Sequence, residues 1–411
     1  MANLLEKASI ILTPTAYDDG KVLAIKPSEA PYGDFDFTRN SSATRVNAQG
    51  LVEDVQILSS NLVQNGDFSE IGSEEVSNGN FSQIGSEEVT NGDFSQEGSE
   101  LITNGDFSNG LNNWSDLDGV VTVVDGSALF TINGGLGNHR LRQTIGMQQN
   151  AYYKATYTIS ENIGNARLRI FDGATYQYVP STVGTHTVIQ QRLGTNTAFY
   201  FNPHEGTSIT IDDVSVKEVG QDWTLGDWEI SENKATCDAS GGSALTIQQQ
   251  DILTSGKTYK ITYTILDYVQ GVLRFRSSPV SGDYTSGNGE HTFYIVAQNA
   301  TFGLQGLNGF IGSVTNISVK EVGMDWILGT GWSISDGKAV ADGSSGNLNL
   351  TQDCLELGKT YTITYTISDA LQGSLRIKMG GWTSGSLRTS NGTYTEILSN
   401  SNPSANTSIY F

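Results

Sequence analysis

The sequence predicts an all-β protein, with tandem antiparallel β-sandwich (jelly-roll) modules after an N-terminal β-hairpin anchor and a short-repeat stalk. Three observations predict it. Runs such as KATYTIS, KITYTIL and YTITYTIS alternate polar and apolar residues over about eight positions, so each strand turns one face to a core and one to solvent. Clusters of Gly, Asn, Asp and Ser separate these runs, as the turns of an antiparallel sandwich require. Nowhere does an apolar period of 3.6 persist for a dozen residues.

The first 62 residues read as a segment of their own. Within DFDFTRNSSATRVNAQGLVEDV (34–55), the stretch TRVN-AQG-LVED predicts a hairpin in which Gly50 takes φ > 0. Residues 63–103 carry a second pattern. NGDFSEIGSEEVS, NGNFSQIGSEEVT and NGDFSQEGSELIT begin at Asn65, Asn78 and Asn91, and a fourth NGDF begins at Asn104, a period of 13. These repeats have too few apolar residues to form a core alone. Two readings are open for them: a flexible stalk, or an ordered stack of strand-turn units that forms only through oligomerisation.

Three modules follow, at residues 104–219, 220–322 and 323–411. VSVKEVG (214–220) recurs as ISVKEVG (317–323), and Asp222-Trp223 recurs as Asp325-Trp326, each a shift of 103. GKTYKITYTIL (256–266) recurs as GKTYTITYTIS (358–368), with AYYKATYTIS (151–160) a looser third copy. The third module reaches NTSIYF without the SVKEV strand that closes the other two, an edge that sheets normally avoid. Truncation there is the expectation. Trp114, Trp228 and Trp332 start strand patterns and are expected in the cores, whereas Trp223 and Trp326 are expected to plug one module onto the next.

Composition bounds the partners. The 411 residues exceed what one core supports, and the net charge of −21, with no Lys or Arg between Arg45 and Arg140, repels a polyphosphate and argues against nucleic acid. No run of about 18 apolar residues exists, which argues against membrane insertion, and the first twenty residues do not read as a signal peptide. Cys237 and Cys354 fall at non-equivalent places in two repeats and read as free thiols, consistent with assembly in a reducing cytosol.

Two resemblances rest on quoted residues. NGDFSNGLNNW (104–114) with ITIDDVSVKEV (209–219) resembles the opening and closing strands of jelly-roll carbohydrate-binding modules. DFTRNSSATRVNAQGLVED (36–54), with the tandem SVKEVGxDW modules, resembles fibre or spike proteins of tailed-phage virions, on head or tail. The first resemblance implies a structural Ca²⁺ where first and last strands meet, at Asp106 and Asp212. No cofactor is otherwise required. The second implies attachment to other virion proteins through residues 1–62, a location on the virion after assembly in the host cytoplasm, and a homo-oligomer, most commonly a trimer.

The four histidines show no metal-ligand spacing, and no nucleophile elbow or phosphate loop occurs, so the chain is expected not to be an enzyme. Sugar binding has a better signal, because sugars stack on exposed rings while a few polar groups orient their hydroxyls. LRIFDGATYQYV offers Arg169, Tyr176 and Tyr178; LRFRSSPVSGDY offers Arg274 and Tyr284; LRIKMGGWTSGS offers Arg376 and Trp382. Each Arg follows an inward Leu and so points outward, either beside a ligand groove or into an ordinary cross-strand ion pair. The expected function is a phage virion component that displays its modules for weak multivalent attachment to host surface glycans. A ligand-free decorating virion protein, and a bacterial surface adhesin or carbohydrate-binding module, are the alternatives.

Overall fold

The computed structural model of the chain describes residues 11–18, 21–25, 33–36, 44–46, 48–54, 65, 69–132, 139–170, 178–277, 280–343 and 349–411. They form two compact units, Met1–Ser73 and Glu74–Phe411. All regular structure among them is β-strand. In the first unit the expected hairpin is present: Thr44–Val46 pairs with Val52–Asp54, and Gly50 turns the corner at φ 79°. The same unit has a three-stranded antiparallel sheet, Ile11–Asp18, Lys21–Ile25 and Gly33–Asp36, that alternation did not reveal. Its first strand is interrupted between Leu12 and Tyr17, around Pro14, which has no N–H to give the ladder.

In the second unit, module 1 is a sandwich of two five-stranded antiparallel sheets. One sheet is built on Tyr152–Ile163, which lies between Gly184–Gln191 and Ser208–Val219. Tyr153, Ala155, Tyr157 and Ile159 are buried, and the intervening Thr156 and Thr158 meet Thr187 and Thr185 across the outer face at 3.2 and 3.0 Å. The alternation in the sequence is thus the inside and outside of one strand. The opposite sheet runs Tyr178–Val179, Arg167–Ile170, Ala198–His204, Leu141–Thr144, Ser115–Asp116. Phe130, Leu168, Phe199, Phe201, Ile209 and Val216 fill the space between the sheets.

Module 2 has the same plan drawn with longer strands. Thr258–Ser277 and Phe302–Val322 each run through both sheets, bending where their register slips between Leu266 and Val272. Its core contains Trp228, Tyr259, Tyr263, Phe275 and Phe310, is a different cluster from the one between the module 1 sheets, and takes in Tyr152 and Val219 of module 1 at the junction. Module 3 repeats one sheet in full: Ile327–Leu328, Leu350–Asp353, Ser408–Tyr410, Lys378–Met379, Thr383–Ser384. The other sheet is in two pieces, the hairpin Trp332–Ser335/Lys338–Ala341 and the pair Thr360–Ile367/Gly392–Ser399. The strand that joins these pieces in modules 1 and 2 has no counterpart among the described residues.

The 13-residue repeats account for the rest of the fold. From Glu74 onward they are neither a stalk nor an oligomeric stack; each is laid along a module of its own chain. Phe107 packs on Trp114, Phe94 on Trp223 and Phe81 on Trp326, at centroid distances of 5.4, 5.3 and 5.3 Å. The three indole N–H groups donate to the carbonyls of Asn104, Asn91 and Asn78. A buried glutamine in each module, Gln143, Gln249 and Gln352, exchanges two hydrogen bonds with the backbone of Thr103, Thr90 and Ser77. Module order and repeat order are therefore reversed: the last repeat serves the first module. Trp223 and Trp326 do not plug neighbouring modules together, as expected from sequence; they receive the repeats' phenyl rings.

What joins the modules is the glycine of SVKEVG. Gly220 and Gly323 have φ +73° and +72°, and a Cβ there would lie 2.8 and 2.6 Å from Ile230 and Ile334 of the following module. Only glycine permits that turn and that approach. Tyr152 adds a hydrogen bond from module 1 to the Trp228 carbonyl of module 2 at 3.2 Å.

Candidate functional site

The outer face of the module 1 sheet containing Arg167–Ile170 collects side chains that sequence reasoning found only in part. Arg169 lies opposite Tyr178 on one neighbouring strand and opposite Asn202 on the other; Arg167 lies opposite His204. Alternation places these side chains on one face, with Leu168 buried behind them. Arg169 donates to the Tyr178 hydroxyl at 2.8 Å, and the Arg167 guanidinium sits 3.4 Å from the Tyr178 ring centroid. Arg167 also pairs with Glu205 at 3.5 Å, an exposed contact of small energetic weight. Tyr178 is thus one layer of a cation–π stack, and one of its faces is taken by an arginine.

Beneath the arginines lie buried polar groups. His139, His204 and Asn202 are 8%, 5% and 6% exposed. Both ring nitrogens of His139 and His204, and Oδ1 of Asn202, have no hydrogen-bond partner among the described residues. Desolvation, then Arg169 and His139, hold the His204 imidazole below its ordinary pKa, so it is neutral at pH 7. A neutral imidazole offers one donor and one acceptor, and guanidinium groups offer fixed forks of donors. Such donors pair with acceptor-rich groups, carboxylates above all, as Arg167 does with Glu205. The signal available in the sequence was the spacing: RLR (167–169) and NPH (202–204) each put two polar side chains on one face. Scattered positions along the chain had hidden the histidines' meeting in space.

The other expected residues are placed as follows. Tyr176 lies outside the described residues. Arg274 repeats the position of Arg169: it lies opposite Tyr284 and Gln305, and donates to Gln305 Oε1 at 2.5 Å. Arg376 is exposed and lies outside any strand, before Lys378–Met379, and no pairing brings it opposite Trp382, which lies in the turn between Lys378–Met379 and Thr383–Ser384. Trp382 is 61% exposed and fixed at its rim, its indole N–H donating to the Ser404 carbonyl at 3.1 Å. It is an open, oriented ring. Trp114 and Trp228 are in the cores, at 7% and 0% exposure, while Trp332 is only partly buried.

Asp106 accepts from the Ser108 amide and hydroxyl, which hold its carboxyl below the usual range; Asp212 accepts from Ser127 Oγ at 2.9 Å. Among the described residues no group of three or more His, Cys, Asp or Glu side chains is arranged to hold a metal. The two cysteines are free, and burial pushes the Cys237 thiol up to about 12. No helix among the described residues is long and apolar enough to cross a membrane.

No family model matches the chain, and no curated protein sequence matches it. Among solved structures, allantoicase from Saccharomyces cerevisiae aligns over 48% of this chain and 82% of its own, at 10% identity and a TM-score of 0.22. A second allantoicase structure covers 56% and 92%, at 10% identity and a TM-score of 0.23. A triple jelly roll protein from the turret assembly of an archaeal virus covers 76% and 88%, at 8% identity and a TM-score of 0.19. One expectation is corrected by these matches. Structures of an enzyme are among those similar to this chain, so the exclusion of catalysis drawn from missing motifs does not stand. At such scores the matches carry no activity, substrate or residue role to it.

Proposed function

We propose that the chain is a virion component, a head or tail fibre or spike of a phage, that displays its sandwich modules for weak, multivalent attachment to host surface glycans. Residues 1–62 would dock on other virion proteins, and the protein would work as a homo-oligomer, a trimer. The observation that carries the glycan reading is the outer face of module 1, where the Arg167 and Arg169 guanidinium groups surround the 37% exposed Tyr178. Guanidinium forks pair with the carboxylates of acidic saccharides. Trp382 supplies the complementary feature on module 3, an open ring for the apolar face of a sugar. Neither contact is strong alone, and serial modules raise effective concentration.

A glycan array probed with the full chain tests this. Binding to carboxylated saccharides is expected to fall by at least about tenfold in Arg169→Ala, equivalent to roughly 1.4 kcal/mol. Binding to neutral saccharides is expected to fall in Trp382→Ala. An array without signal, from a protein that still co-purifies with particles, would reject attachment and leave a ligand-free decorating role.

A further inference from the structure

Where module 1 meets module 2 the fold leaves a cavity of about 250 Å³. Three parts of the chain wall it: the Asn91 repeat through Phe94 and Glu97, the module 1 sheet through Lys154, Ile189 and Val219, and the first hairpin of module 2 through Ile230 and Glu232. Phe94, Val219 and Ile230 are at most 5% exposed and give the cavity an apolar floor. Glu97, held by Lys154 and Lys217 at 2.6 and 2.9 Å, and the exposed Glu232 give it a charged rim.

The junction of modules 2 and 3 is the same place built with other side chains. Lys154 lies opposite Lys217 and Ile189 on its two neighbouring strands, and Lys260 lies opposite Lys320 and Tyr294 in the same way, so Tyr294 stands where Ile189 does. Ile230 lies opposite Ala235 and Ile334 opposite Ala339, which puts Asp336 in the place of Glu232. Tyr294 reaches across this second junction, its hydroxyl 3.4 Å from Asp336 Oδ1. Desolvation raises that phenol above its ordinary pKa, as for a ring drawn out of solvent. The chain itself therefore shows what the position admits: a six-membered ring whose hydroxyl reaches a carboxylate.

A further exchange separates a sugar from a phenol. The 13-residue shift that carries Phe94 to Phe81 carries Glu97 to Ile84, so the repeat brings an aliphatic side chain to the second junction and a carboxylate with its lysines to the first. A phenol needs one polar contact, whereas a pyranose carries hydroxyls around its edge and C–H groups on its face. An apolar floor, carboxylate acceptors from two separate parts of the chain and the Lys154 donor answer the second pattern. The volume lies below the roughly 300–1,000 Å³ of drug-sized sites and suits one ring. We propose that the junction of modules 1 and 2 binds a single uncharged pyranose, at a site separate from the Arg169 face, and that the short Ile189 side chain keeps it open. The proposal rests on the glycan-attachment reading, to which it adds a second contact on the same chain; the two carboxylates disfavour an acidic sugar here.

The test titrates the full chain, labelled at its isoleucine methyl groups, with the methyl glycosides of glucose, mannose and galactose, and follows the Ile230 methyl resonance. A saturable shift with at least one glycoside is expected. Ile189→Tyr is the discriminating variant. The second junction already carries a tyrosine there, so the melting temperature stays unchanged while the Ile230 shift is lost. Glu232→Gln, at an exposed position, is expected to weaken binding about tenfold. No shift with any of the glycosides, an undiminished shift in Ile189→Tyr, or saturation by p-cresol alone would each overturn the proposal. The glycan array separates this site from the reading beneath it. Array signal that depends on Arg169 or Trp382, without an Ile230 shift, removes the site and keeps attachment, whereas silence in both assays removes both.

Discussion

Trp223 is held by a segment 132 residues before it, through its indole N–H on the Asn91 carbonyl and its ring against Phe94. Phe94 is 2% exposed, so Phe94→Ala is expected to cost about 3–5 kcal/mol, confined to module 2 and read as lost exchange protection there. Gly92→Ala tests the backbone approach rather than the ring. Its Cβ would lie 2.0 Å from the Ile317 carbonyl, and the same module should open. Cys237 gives a chemical check on the core: buried, with its thiol raised by desolvation, it is expected to resist alkylation until the chain is denatured. Little of this was legible in the sequence. NGDF carries no mark of its partner, and the one available signal, three repeats matched by three tryptophans in NNW or DW, spans distances at which sequence patterns lose meaning.

At the scale of elements, alternation was the legible part, because a strand with one wet and one dry face writes that difference into every second residue. Tyr152–Ile163 and Thr258–Ser277 follow it, and the Asn202 and His204 side chains do not. They are polar on an outward face yet buried, beside Arg167 and Arg169 of one neighbouring strand, and that cover is tertiary. The element linking repeat to module 1 is Glu97, which binds Lys154 at 2.6 Å and Lys217 at 2.9 Å. Hydrogen bonds from these lysines, Lys154 first, hold the Glu97 carboxyl below its ordinary value of 4.5. A depressed carboxylate contributes stability above its unfolded-state pKa and loses it as pH falls through the folded one. Docking of residues 95–98 should therefore be pH-independent near neutrality and loosen in acid below about 4.5, with Glu97→Gln flattening the profile. Exchange of the Gly98 amide, which donates to the Glu218 carbonyl at 2.8 Å, reports it directly.

At the scale of the molecule, the reversed pairing makes the repeat-to-module loops nested. Thr103 reaches Gln143 across 40 residues, Thr90 reaches Gln249 across 159, and Ser77 reaches Gln352 across 275. Formed independently, the longest closure would cost only about 1.7 kcal/mol more than the shortest, since loop entropy grows with the logarithm of length. Nesting removes even that difference, because each docked repeat brings the next one, 13 residues upstream, beside the next module. The assembly should therefore zip from module 1 outward. The three receptacles present the same groups, a tryptophan N–H, a glutamine side chain and a packed ring, so the repeats should be interchangeable. Deleting residues 91–103 then has a definite outcome. The repeat at Asn104 keeps module 1, the one at Asn78 moves to module 2, and the one at Asn65 moves to module 3. Exchange mass spectrometry should show all three modules protected as before. Loss of protection in module 2 instead would mean that each repeat is specific to its own module and that the zipper order is wrong.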